Sequence, residues 1–374
     1  MRFVLILFLL VSKSLIASDS IREPIYLSYH LKGGYLAAHR STMAHLAQER
    51  IFAGEISIKK RLIGSDFWHE SYRNPFVGLT LYGSNLSNKE VLGNAFGAFS
   101  FIEFPWYNSP KNVFSCQMAV GLAYLTKTFD QQTNPKNVAV SSHLSAILVI
   151  GVTGHHFFTE KHGLEYGFDL THFSNGSTQL PNLGINIPMI RLGYLHKIGS
   201  TQKEAVKQVG IKKTPFFNSW EPSLIGITSF KENWPTGGKK YPVFALSAVA
   251  FKQFKSKVGM EVALDFISKQ SLMDYKTYIP RNQLDIFQIG GYLGYAIPMN
   301  HLRLVLGMGY YIHDKFDADD ELYHRLGMRY TFDNGLLLNF VLKTHWAKAD
   351  YIEFGVGYNF KKKTVCRLDA YSSL

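Results

Sequence analysis

The sequence predicts an all-β protein, an antiparallel transmembrane β-barrel of about 16 strands (roughly 14–16). Three observations predict it. The chain of 374 residues is 46% hydrophobic and 14% aromatic, yet its mean hydropathy is −0.04, so apolar and polar residues are interleaved. Segment after segment alternates with period two, as strands do when one face meets lipid and the other the lumen. No apolar run is long enough for a membrane helix: the most apolar interior stretch, Leu144 to Val152, is broken by Ser145 and Gly151. A soluble β-sandwich has the same period, so the leader and the aromatic strand ends decide for the barrel.

Residues 1–18 read as a signal peptide. Arg2 precedes the apolar run Phe3 to Val11, and small residues at Ala17 and Ser18 follow. That run is too short to span about 30 Å of hydrocarbon as a helix. Residues 19–360 are expected to form one barrel and 361–374 a basic tail, placing the protein in the outer membrane of a Gram-negative bacterium.

Strands are expected near 25–36, 51–62, 75–83, 92–105, 114–127 and 143–157. In the second, Phe52, Ile56 and Ile58 alternate with Glu55, Ser57 and Lys59, which turns charges inward. The spacers Ser84 to Lys89 and Asp130 to Lys136 are turn chemistry. His39 and His45 lie in the first connection with no metal-site spacing and read as loop residues. His155 and His156 are adjacent, so a strand points them to opposite faces. Beyond the central hairpin, residues 199–217 form a long basic connection. Further strands follow near 219–230, 241–254, 258–269, 285–297, 302–313, 322–332, 335–346 and 350–360. Trp106 and Trp346 at strand ends suit an interfacial girdle. The segment Pro235 to Lys240 lacks the spacing of a phosphate loop and reads as a turn.

Residues 163–194 place reactive groups where a barrel normally presents only apolar side chains. Leu164, Tyr166, Phe168 and Leu170 share a face that continues to His172 and Ser174. After a turn rich in Asn, Gly, Ser and Pro, Asn186 shares its face with Ile190, Leu192 and Tyr194, while Arg191 points the other way. Polar residues at strand ends often only satisfy turn backbone. Here a hydroxyl, an imidazole and a carboxamide meet on one apolar surface, the nucleophile, base and orienter set of acyl transfer.

The H-x-S-N sequence at His172, Ser174 and Asn175, followed by P-N-x-G at Pro181, Asn182 and Gly184, resembles the outer-membrane lipid A 3-O-deacylases, or acyloxyacyl hydrolase-like barrels. The resemblance implies a serine esterase that removes an ester-linked hydroxyacyl chain from lipid A. It implies Ser174 as nucleophile, His172 as base, and Asn175 with the turn at Gly176 as oxyanion donors. Where that family carries Glu, this chain has Asn186. No metal or cofactor is expected. The alternative is a barrel without catalysis, glycolipid-binding or porin-like.

With 40 Lys and Arg against 28 Asp and Glu, the formal charge is +12. Such a charge attracts polyanions. A generally basic solvated surface accounts for it equally; for an exported barrel the polyanion met first is lipopolysaccharide, and no nucleic-acid partner is expected. The two cysteines are Cys116, on an apolar strand face, and Cys366, in the tail; no disulfide or C-x-x-C site is expected.

Overall fold

A computed structural model describes residues 24–360 except 65, 199–218, 234, 276–281, 317–319 and 347. The leader, the basic connection and the C-terminal tail read from the sequence therefore lie outside the described residues. Among the described residues there are sixteen strands, all antiparallel to their neighbours. The first eight are β1 (Ile25–Gly34), β2 (Ile51–Arg61), β3 (Phe76–Asn85), β4 (Asn94–Asn108), β5 (Asn112–Leu125), β6 (Leu144–Phe157), β7 (His162–Ser174) and β8 (Ile185–Ile198). The second eight are β9 (Glu221–Glu232), β10 (Lys240–Lys255), β11 (Val258–Lys269), β12 (Phe287–Met299), β13 (Leu302–His313), β14 (Leu322–Thr331), β15 (Leu336–His345) and β16 (Lys348–Asn359).

The strand class and number agree with the expectation, and the closure corrects it. Instead of one barrel over 19–360, β1 pairs with β8 and β9 with β16, so the chain forms two closed eight-stranded barrels. Inward-facing size explains the difference. Eight strands leave an interior that side chains just fill, whereas sixteen leave a water-filled lumen. The inward positions here carry large groups that fill it. In the first barrel Lys32 bridges Glu55 (3.0 Å) and Asp169 (2.8 Å), and Lys59 bridges Glu165 (2.6 Å) and Glu103 (3.3 Å). In the second, Arg325 bridges Asp265 (2.7 Å) and Glu353 (2.8 Å), while Glu261 pairs with Arg303 (2.7 Å) and Arg329. All these side chains are buried. A porin-like lumen, one of the alternative readings, is not what these packed interiors provide.

The outward faces are apolar. Leu31, Phe52, Leu81, Ile150, Ile190 and Leu192 in the first barrel and Phe230, Leu293, Leu306 and Ile312 in the second are exposed. Cys116 is likewise exposed and unpaired, on the outward face predicted for it. Trp106 and Trp346 are exposed at or just beyond strand ends, the place of an interfacial girdle.

The first barrel has the connections 35–50, 86–93, 126–143 and 175–184 at one end, and 62–75, 109–111 and 158–161 at the other. The end that carries 35–50 and 126–143 is closed by an apolar cap. A 3₁₀ turn at Ser41–Leu46 inserts Met43 and Leu46 among Leu36, Leu86, Leu92 and Val140. The inward ends of the strands, including Phe99, Ile147, Phe173, Ile185, Ile187 and Met189, meet them from below.

Candidate active site

The site is built by the ends of β7 and β8 at this capped rim. Along β7 the buried residues Glu165, Asp169, Thr171 and Phe173 alternate with Phe168, Leu170 and His172 on the lipid face. Phe173 lies between His172 and Ser174 and is fully buried, as are Ile185 and Ile187 on either side of Asn186. These three apolar anchors fix the backbone from inside while the polar groups between them point outward. His172 stands directly opposite Asn186 in the ladder, where Cβ atoms approach within about 4.5–5.5 Å.

That pairing becomes a hydrogen bond. His172 Nδ1–H donates to Asn186 Oδ1 at 2.6 Å. The proton on Nδ1 leaves Nε2 as the basic nitrogen. Asn186 Nδ2 in turn donates to His39 Nδ1 at 3.1 Å. Ser174 follows His172 on the same face and is nearly buried, at 8% exposure. Their Cα atoms are separated by about two strand rises, roughly 6.5–7 Å. No hydrogen bond joins the hydroxyl to the ring among the described residues.

The turn explains the rest of the motif. Asn175 N–H donates to Asn182 Oδ1 at 3.0 Å. Asn175 Nδ2 donates to Ser141 Oγ (3.2 Å) and Gln179 O (2.9 Å). Gly184 N–H donates to Ala139 O at 2.9 Å. Together these bonds tie the 175–184 turn to the 126–143 connection. Gly184 has φ +79°, and a Cβ there would lie 2.7 Å from His172 Cε1. Only glycine satisfies both the backbone and the ring. At the far side of the same connection, the N–H and hydroxyl of Thr133 and the N–H of Gln132 bond the Asp130 carboxylate. They hold its carboxyl below the usual range.

The structure thus brings His172 and Asn186 into contact and sets Ser174 on their face. Asn175, expected as an oxyanion donor, uses its backbone N–H and its side-chain Nδ2 in hydrogen bonds to Asn182, Ser141 and Gln179. Gly176 N–H makes no hydrogen bond among the described residues, and φ +64° at Gly176 turns the chain sharply after Ser174. Sequence reasoning missed His39, read as a loop residue. No local motif marks it, since it lies 147 residues from Asn186. Elsewhere, Glu103, His155 and Glu165 offer ligand atoms within 4.8 Å of one another, but the Lys59 ammonium already sits among them.

Known proteins give the family. The model of the lipid A 3-O-deacylase family (PagL) matches residues 53–195, within the first barrel's span. That of the acyloxyacyl hydrolase C-terminal domain (PagL_C) matches 218–362, spanning the second. The chain belongs to the lipid A 3-O-deacylase family, a family of outer-membrane lipid A hydrolases. No curated protein matches it. Among solved structures it is similar to Neisserial surface protein A, with 9% identity and TM-score 0.33 over 46% of this chain and 97% of that one. It is also similar to a triple mutant of the Rhodopseudomonas blastica porin, with 10% identity and TM-score 0.19 over 90% and 100%.

Proposed function

We propose that the first barrel hydrolyses an ester-linked hydroxyacyl chain of lipid A with Ser174 as nucleophile, His172 as general base and Asn186 as orienter. Ser174 Oγ attacks the ester carbonyl while its proton passes to His172 Nε2. The tetrahedral oxyanion is met by the Gly176 N–H. Collapse breaks the bond to the alcohol oxygen, which takes the proton back from His172 and leaves as the lipid A hydroxyl. Water, deprotonated by His172, then cleaves the acyl-serine and releases the fatty acid.

The observation that carries this reading is the 2.6 Å bond from His172 Nδ1 to Asn186 Oδ1. Replacing the carboxylate of a serine protease triad by an amide costs about 10⁴ in turnover, because the wrong tautomer is held. Here the carbonyl faces the ring, so the tautomer is the productive one. What the amide does not supply is negative charge beside the imidazolium. The lipid-facing position of the three groups matches a substrate whose acyl chains are themselves in the membrane. Lipid A from cells producing the wild type and the Ser174→Ala variant, compared by mass spectrometry, tests it. The wild type should remove one hydroxyacyl group and the variant none; equal removal by a folded variant overturns the assignment.

A further inference from the structure

The geometry points to His39 as a positioning residue that locks the Asn186 amide with its carbonyl toward His172, so that an amide serves where the family carries Glu. This rests on the serine esterase reading above. The two ends of an amide are similar in size and opposite in chemistry: the oxygen accepts and the nitrogen donates. If Nδ2 faced His172, the ring would have to accept at Nδ1 and carry its proton on Nε2. It could then take nothing from Ser174. A carboxylate needs no such guard, because both of its oxygens accept.

His39 supplies the guard. Its Nδ1 accepts from Asn186 Nδ2 at 3.1 Å while Asn186 Oδ1 accepts from His172 at 2.6 Å. Reversing the amide would require both rings to exchange tautomers, His39 donating from Nδ1 and His172 accepting at its own Nδ1, which would leave His172 unable to take the Ser174 proton. The backbone holds His39 within reach. Beyond the last β1–β8 pair, Gly34 with Met189, the same register continues, and Ala37 N–H donates to Asn186 O at 2.9 Å. The residue two positions on is His39. The chain His39–Asn186–His172 is therefore a neutral relay of orientation, spanning the connection after β1, the start of β8 and the end of β7.

The test uses the full chain folded in detergent, with lipid A in mixed micelles and heat-modifiable gel mobility to report barrel formation. His39→Leu should lower kcat by about 10²- to 10⁴-fold with little change in KM, the upper end being the wrong-tautomer loss. His39→Asn, whose Oδ1 accepts where Nδ1 did, should restore turnover to within about tenfold. In an Asn186→Glu background, His39→Leu should matter little. Three outcomes overturn the proposal: full turnover by folded His39→Leu, equal loss in the Leu and Asn variants, or the same loss in the Asn186→Glu background. If Ser174→Ala instead keeps wild-type turnover, the esterase reading falls by itself. Nitrogen-15 spectra of the His172 ring then judge His39 independently of turnover. They should show Nδ1–H in the wild type and a shift toward Nε2–H in His39→Leu, and an unshifted ring overturns the inference.

Discussion

The two barrels share a construction and differ in what their rims carry. Both are filled by buried ion pairs that replace solvent, with Lys32 and Lys59 in one and Arg303, Arg325 and Arg329 in the other. In the first barrel the lipid face of the seventh strand ends in His172 and Ser174. In the second, the seventh strand β15 presents Leu342 and Thr344 outward, and its only histidine, His345, is buried and donates from Nδ1 to Leu322 O. The first barrel also has the broad apolar cap behind its site. The second has smaller clusters, such as Leu272, Ile286 and Phe316. An ion-filled interior is thus common to both barrels, and the apolar cap that holds the strand ends behind His172 and Ser174 belongs to the first.

The largest effect that would break this comparison lies at the rim. Ser174→Ala should lower turnover by at least about 10⁴-fold, whereas Thr344→Ala at the corresponding outward position of the second barrel should leave it unchanged. Assay of both variants on lipid A decides it, and comparable losses would mean that the second barrel participates in the chemistry.

Next come the interiors, where the barrels should behave alike. Lys59→Met leaves Glu103 and Glu165 without their shared cation, and Arg325→Met does the same to Asp265 and Glu353. Each should cost about 3–5 kcal/mol, the penalty for uncompensated buried charge, read by urea unfolding in detergent. A near-zero cost in either barrel would show its interior to be hydrated.

Gly184→Ala separates site from scaffold. A methyl 2.7 Å from His172 Cε1 at a positive-φ position should displace the ring and lower kcat by about 10²-fold, while gel mobility still reports a folded barrel. Unchanged kcat would mean that the ring position is not limiting. The smallest expected effect is Asn186→Glu. Turnover should stay within about tenfold of wild type or rise, as the gained imidazolium charge partner offsets the desolvation of a carboxylate on an apolar face. Abolished turnover in folded protein would remove Asn186 as orienter.

What the sequence by itself determined is the face of each residue. Side chains alternate along a strand, so the order of apolar and polar residues places Glu55 and Lys59 inside, Cys116 outside, and His172, Ser174 and Asn186 on one lipid face. Strand number and the reactive hairpin follow from that local rule. Only the tertiary structure decided what depends on residues far apart in the chain. Strand closure is one case: period two is the same for one barrel of sixteen strands as for two of eight, and the β1–β8 ladder selects the latter. The hydrogen-bond partners of Asn175 are another, because the fold brings Ser141 and Asn182 against it. His39 is the third. A histidine in a connection has no pattern of its own, and its meaning arises from a register that carries the end of β1 past Asn186.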